Sequence, residues 1–302
     1  MLPAWIEISV LAPVEWHELI ADAFALGPCT SVAFGRASLA TPEPPAGWDW
    51  VRTFVIESDD GPELRARVAG RIAELAASTG AAELSGLELR FRRLPPEDYA
   101  NSWRKSWKAV RIGAFAITPY DWKGALRAHD LQLFLEPGGA FGTGRHATTR
   151  ACLRAVSEEL RPGQRVLDAG TGSGVLCVAA ALRGASQAIG FDIDPNAIPY
   201  ALDLAQRNRV AQRCEFRVGG FECLGEGERE FDGVLANIFA DLIAAHAADM
   251  AGRLRRGGWF AFSGCVMHKR ETTLAAIAAA GLRVDAVHTR GRWDTYRGVR
   301  PK

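Results

Sequence analysis

The chain has 302 residues, 48% apolar and 24% charged, enough of each for a buried core and a solvated surface, so disorder of the whole is excluded and two domains are expected. Lys and Arg number 36 against 35 Asp and Glu, a formal charge of +1, which excludes a polycationic surface for non-specific nucleic-acid binding. Any partner must be recognised locally, and no direct nucleic-acid partner is expected.

The first residues, Met1 to Glu7, lack the basic start and apolar block of an export signal. Trp5 to Leu11 reads as a strand, and Val14 to Leu26 places Leu19, Ile20, Ala23 and Phe24 at helical spacing before Gly27-Pro28 stops the helix. Two more strands follow, Ser31 to Arg36 and Trp50 to Glu57, around a loop rich in Pro and Gly. A second helix, Glu63 to Ala77, and a fourth strand, Leu87 to Arg92, complete the order βαββαβ. That order predicts a ferredoxin-like α+β domain over 1–93, two helices covering one face of a small antiparallel sheet. Such a module serves either for docking or simply to stabilise its neighbour.

Pro95-Pro96 marks a boundary, and 94–111 reads as a linker built on a connecting helix, Glu97 to Lys108. Tyr99, Trp103 and Trp107 form one stripe on it that suits packing against a domain, and Arg104, Lys105 and Lys108 between them read as a solvated helix face or as part of a basic, aromatic docking face. Beyond two short β stretches, Val110 to Thr118 and Leu131 to Leu135, strand alternates with helix. The strands are Arg165 to Asp168, Ala188 to Asp192, Glu215 to Val218, Phe231 to Ala236, Trp259 to Ser263 and Arg283 to Thr289. This alternation predicts an α/β domain over 112–302, a mostly parallel, doubly wound sheet. No apolar run approaches the ~18 residues a membrane-spanning helix needs, so no membrane is expected as a partner. The six cysteines, Cys29, Cys152, Cys177, Cys214, Cys223 and Cys265, show neither a Cys-x-x-Cys pair nor zinc-ligand spacing. They read as reduced thiols of a cytoplasmic protein, with no metal expected.

The chemistry centres on Val166-Leu-Asp-Ala-Gly-Thr-Gly-Ser-Gly174, an apolar strand that ends in Asp168 and turns through Gly170, Gly172 and Gly174 into a helix from Val175 to Arg183. Ligands of open α/β sheets bind at such a turn, where glycine lets the backbone approach without a Cβ in the way. Dinucleotide enzymes place G-x-G-x-x-G here; this chain has G-x-G-x-G, and Asp168 stands where it would repel a pyrophosphate. A cationic nucleoside without phosphate, such as S-adenosylmethionine with its ammonium and sulfonium, suits the carboxylate.

Asp192 ends the next strand about 20 residues past the turn, where an acid accepts hydrogen bonds from both ribose hydroxyls; it could instead cap the following helix, Pro195 to Asn208, a role better suited to Asp194. Asn237 stands at the carboxyl edge of the strand Phe231 to Ala236. Its amide oxygen can orient an amine nitrogen for in-line displacement while its nitrogen holds the cofactor, or it can be an ordinary strand-end Asn. Four glycines around Phe141, within Glu136 to Thr149, suggest a flap that closes over a cofactor. His146 reads as a general base or as a loop histidine that only bonds its surroundings, and Thr149 either bonds the cofactor or caps a helix.

Together these segments resemble the ribosomal protein L11 methyltransferase family, PrmA. The resemblance runs through Ala140-Phe-Gly-Thr-Gly-x-His-x-Thr-Thr149, Leu167-Asp-x-Gly-Thr-Gly-Ser-Gly-Val-Leu176, Asp192-Ile-Asp-Pro195 and Ala236-Asn-Ile238, with Glu97-Asp98, Trp103, Lys108 and a late Trp293. It implies a class I, Rossmann-like methyltransferase domain holding S-adenosylmethionine through Thr149, Gly170, Asp192 and Asn237. It also implies methylation of lysine side chains and the N-terminal amine of a large-subunit ribosomal protein. The N-terminal domain would recognise that protein, and the connecting helix would let the domains swing.

Two departures bear on the site. After Asn237-Ile238 the chain continues Phe239-Ala-Asp-Leu242, where the family usually has Leu-Ala and then a proline, so the lip around the acceptor nitrogen differs. The third strand ends Val218-Gly-Gly220 without the acid or amide that often touches adenine. The alternatives are a lysine methyltransferase for another protein, such as an electron-transfer flavoprotein subunit, a non-catalytic cofactor-binding module, and a nicotinamide oxidoreductase.

Overall fold

The computed structural model describes residues 4–24, 29, 32–34, 43–94, 109–120, 122–135 and 146–302. The expected connecting helix and the glycine flap with Phe141 lie outside them. The chain falls into two compact units, one within residues 1–108 and the other within 109–302, apart from a short stretch outside the described residues.

The first unit is built from β1 (Trp5–Pro13), α1 (His17–Phe24), β2 (Val32–Phe34), β3 (Trp48–Ile56), α2 (Pro62–Thr79) and β4 (Arg90–Leu94). Its sheet runs β2-β3-β1-β4 with every neighbouring pair antiparallel. Strand alternation sends Ile6, Ile8, Val10 and Ala12 to one face, where they pack with Val51 and Val55 and with Ile20, Phe24, Leu64, Val68 and Ile72 from the helices. Pro62 opens α2 at its first turn, and Gly80 closes it in the left-handed region at φ 65°.

Most boundaries lie within two residues of expectation, and two elements start three residues later. The first helix starts at His17, because Val14–Trp16 forms a 3-10 turn held by the bond from Val14 N to Gly47 O. The fourth strand starts at Arg90, not Leu87. Leu87 and Leu89 lie half-buried against the core next to the 3-10 turn Ala82–Leu84, so their apolar character serves packing and not a ladder.

The second unit begins with a three-stranded sheet. In it β5 (Val110–Ile112) pairs antiparallel with β6 (Phe115–Thr118), and β6 pairs parallel with β7 (Leu131–Phe134). The main sheet has seven strands: β8 (Arg165–Ala169), β9 (Gln187–Asp192), β10 (Cys214–Val218), β11 (Phe231–Asn237), β12 (Leu254–Val266), β13 (Arg283–Arg290) and β14 (Trp293–Val299). Their order is β10-β9-β8-β11-β12-β14-β13, parallel through β12 and antiparallel over the last two. The mostly parallel sheet is as expected; β14 is an addition to the sequence reading.

On one face lie α3 (Ala147–Glu159), α4 (Val175–Leu182) and α5 (Ala197–Arg207), which bury Cys152, Leu153, Val156 and Val175 to Ala181. On the other lie α6 (Ala240–Arg253) and α7 (Arg270–Ala279), which bury Ile243, Met250 and Ile277. The order reverses between β8 and β11, so a crevice opens at their carboxyl ends, the usual ligand position of such sheets. Among the described residues, no helix is long and apolar enough to cross a membrane.

Candidate active site

Three glycines shape the floor of the crevice. Gly170, Gly172 and Gly174 all take positive φ, 71°, 51° and 76°, which an L side chain resists. A Cβ on Gly170 would overlap Ile238 Cγ2, and one on Gly174 would stand 2.8 Å from Ala201 Cβ. The turn is pinned to β9, since Gly170 N and Thr171 N both donate to Phe191 O at 2.9 Å.

Asp168, at the end of β8, is wholly buried. Its Oδ2 accepts from Thr171 Oγ1 at 2.7 Å, whereas its Oδ1, also buried, has no partner among the described residues. Burial pushes its carboxyl up to about 7; the Thr171 hydroxyl opposes the shift, and the nearby Asp192 adds to it. Asp192 ends β9 and accepts from the turn itself, Gly172 N to Oδ2 at 2.8 Å, while its Oδ1 accepts from Asp194 N at 3.0 Å. Asp194 accepts from Asn196 N at 2.9 Å and orders the turn before α5, but it does not cap the helix as expected: α5 starts at Ala197, not Pro195, and Asn196 is its N-cap, with no side-chain cap bond.

Asn237 closes β11. Its Nδ2 donates to Thr149 Oγ1 at 3.3 Å, and its Oδ1 is buried without a partner among the described residues. Thr149 is fully buried in the first turn of α3 and does not cap it. The cap is His146, whose ring nitrogen accepts from the backbone of Thr148 and pairs with the Thr148 hydroxyl at 2.6 Å. The His146 ring also meets Trp293 edge-on, centroids 5.3 Å apart. The structure thus gathers Thr149, Asp168, Gly170, Gly172, Asp192 and Asn237 at one sheet edge; Phe141 lies outside the described residues.

This donor set suits a cationic nucleoside. Asp168 Oδ1 and Asn237 Oδ1 are buried acceptors without a partner among the described residues, and Gly170 leaves room for Ile238 to pack on the turn. Two carboxylates at the turn, Asp168 and Asp192, oppose a pyrophosphate.

Over residues 4–301 the chain matches the model of the family described as ribosomal protein L11 methyltransferase (PrmA). The chain belongs to this family. It is 38% identical over 306 residues to the ribosomal protein L11 methyltransferase of Pelotomaculum thermopropionicum, covering 96% of each chain. Against that of Syntrophotalea carbinolica it is 36% identical over 305 residues, again with 96% of each covered. The crystal structure of a ribosomal protein L11 methylase from Lactobacillus delbrueckii subsp. bulgaricus superposes with a TM-score of 0.58 at 23% identity, over 65% of this chain and 99% of that one, which supports the fold. The PrmA family uses S-adenosylmethionine as methyl donor, so a nicotinamide reading of the glycine turn is set aside.

Around the crevice of this PrmA-family chain, the environment of four residues escaped the sequence reading. Gly190 sits inside β9, and a Cβ there would stand 2.6 Å from Thr171 Oγ1 and 3.0 Å from Cys177 Sγ; its absence makes room for the Asp168–Thr171 bond. A glycine within a strand was the available signal. Glu222 folds back to accept from Gly220 N at 2.6 Å, and that bond lowers its carboxyl below the usual range. An acid therefore stands at the end of β10 after all, two residues beyond the place where sequence looked for one. Ile193 is 78% exposed immediately after Asp192, and Val218 is exposed at the end of β10.

Proposed function

We propose that this chain transfers methyl groups from S-adenosylmethionine to amino groups of the large-subunit ribosomal protein L11, both lysine side chains and the N-terminal amine, in the cytoplasm. The observation that carries the reading is the buried, unpartnered Oδ1 of Asn237, beside the glycine turn and at the reversal of strand order. In this reading Asp168, Asp192, Thr149 and the backbone at Gly170 and Gly172 hold the cofactor, with Phe141 closing over it. Residues 1–93 form a split-βαβ, ferredoxin-like module that recognises the substrate, a proposal supported by the antiparallel order β2-β3-β1-β4 with two helices on one face. Residues 94–111 connect it to the catalytic part.

When bound, S-adenosylmethionine supplies an electrophilic methyl on a cationic sulfur. The protein's task is to present a neutral amine. An exposed lysine amine has a pKa of about 10.4, and desolvation in the crevice favours its neutral form. Asn237 Oδ1 accepts a hydrogen bond from that amine, which turns the lone pair toward the methyl carbon. Thr149 Oγ1 fixes which face of the amide is offered, because it accepts from Asn237 Nδ2. In this reading Asp168 Oδ1, buried without a partner among the described residues, offsets the positive charge of the cofactor.

The test is to incubate the chain with labelled S-adenosylmethionine and a ribosomal extract. Label and a mass shift on L11 are expected, both reduced about a hundredfold with Asn237→Ala. Label on another protein alone would refute the substrate, and no label on any protein would refute the activity.

A further inference from the structure

We infer that Phe239 is a specificity-determining residue that holds the acceptor's alkylammonium between successive methyl transfers. The inference rests on the methyltransferase reading above and deepens it.

Phe239 is 72% exposed, more than any other aromatic side chain of the described residues. An apolar ring left in water two residues beyond Asn237 calls for an explanation. Its backbone is fixed. Phe239 O accepts from Leu242 N and Ile243 N, both at 3.0 Å, as the start of α6, and Ile238 N donates to Ser263 O at 3.1 Å. Ile238 turns its side chain onto Gly170, so Asn237 and Phe239 flank a residue packed on the glycine turn. Leu242, three residues on and on the same side of α6, is also exposed, as is Met267 just past the adjacent strand β12.

The acid nearest Phe239 in the chain is already paired. Asp241 accepts from Lys269 Nζ at 3.0 Å, so its carboxylate offers no uncompensated attraction. What remains for a cation is the face of the Phe239 ring. Aromatic faces bind ammonium groups, and they bind alkylated ones well because the apolar surface of the cation grows while its charge persists.

Repeated methylation makes such a group useful. In each transfer the amine nitrogen forms a bond to the methyl carbon, the sulfur–carbon bond breaks, and the nitrogen becomes positively charged. A secondary or tertiary ammonium product must then lose a proton to solvent before it can attack again, and S-adenosylhomocysteine must be exchanged for fresh donor. A site that lets go of the substrate at that stage yields single methylations. A ring that retains the alkylammonium during exchange yields several on one nitrogen.

The experiment uses the full chain, a large excess of unmethylated ribosomal protein L11 and S-adenosylmethionine, with products read by mass spectrometry at low conversion. Wild type is expected to give molecules bearing several methyl groups amid unmodified substrate. Phe239→Ala should accumulate singly methylated lysines and raise KM for the protein substrate about tenfold, whereas Phe239→Tyr restores both. Unchanged affinity for S-adenosylhomocysteine in Phe239→Ala shows the fold and cofactor site intact. An unaltered product pattern and KM in Phe239→Ala would overturn this inference alone. Absence of L11 methylation by the wild-type chain would overturn the proposed function and this inference with it.

Discussion

Asn237 Nδ2 donates to Thr149 Oγ1 across 3.3 Å, joining the end of β11 to the first turn of α3 over 88 residues of chain. The bond decides how the Asn237 amide is turned: with the nitrogen engaged, the oxygen is the atom left open, and it is the one the proposed function assigns to the substrate amine.

Replacing Asn237 with Ala removes the acceptor and leaves the glycine turn intact. Methyl transfer should fall about a hundredfold, the usual order for losing an orienting group, while S-adenosylhomocysteine affinity changes by less than about threefold. Thr149→Val keeps the shape of the helix start and removes only the hydroxyl, so kcat should drop about tenfold. Equal losses of kcat and cofactor affinity in Asn237→Ala would mean that the residue serves binding alone; single-turnover rates and calorimetry separate the two.

Gly170 and Gly163 offer a matched pair. Both have positive φ, 71° and 88°, so Ala at either costs about 1 kcal/mol of backbone strain. Around Gly163 nothing lies within 4 Å of a new Cβ, whereas at Gly170 the methyl overlaps Ile238, next to Asn237. Gly163→Ala should lower the melting temperature by a few degrees and leave activity unchanged. Gly170→Ala should also weaken S-adenosylhomocysteine binding about tenfold or more. Indistinguishable variants would mean that the close approach at Gly170 has no part in the site.

Such contrasts mark what a sequence can carry. Asp168, the three glycines and Asp192 were legible because strand, turn and helix follow one another within a short stretch, and the ligand logic of the turn is local. The Thr149–Asn237 bond was not, since it depends on which strands lie side by side. Nor was β14. Asp294 and Thr295 interrupt its apolar character, yet both are buried, with Asp294 held by Arg270 at 2.7 Å and Thr295 by Ser263 at 2.6 Å. Polar residues satisfied by distant partners hide a core strand from any search for apolar runs. The fourth strand of the first unit erred the other way, because Leu87 and Leu89 are apolar for packing beside a 3-10 turn.

His146 tests whether a histidine beside a methyl-transfer site acts as a base. Its ring nitrogen caps α3, and its ring edge packs on Trp293. Asn is as good a cap, so His146→Asn should retain kcat within about threefold with an unchanged pH profile, whereas His146→Leu should lose about 1 kcal/mol of stability. A drop of about a hundredfold in kcat for His146→Asn, with the acid limb of the rate profile displaced, would instead make it the general base.

The last prediction concerns pH and Asp168. Its carboxyl is pushed up to about 7, chiefly by burial. An unfolded chain has released this proton near pH 4. Between about pH 4 and 7 the folded state therefore binds the extra proton, and this group's contribution makes stability decline as pH rises across that window, with the full penalty present above 7. A cationic ligand reverses the balance, because it stabilises the ionised carboxylate and lowers its pKa on binding. S-adenosylmethionine should accordingly bind more tightly as pH increases from about 6 to 7.5, and calorimetry near pH 7 in buffers of different ionisation enthalpy should detect proton release. Asp168→Asn should abolish that release, flatten the pH dependence and weaken binding. If Asp168→Asn releases as many protons as wild type, the titrating group is another one, and Asp168 does not face the positive charge of the ligand.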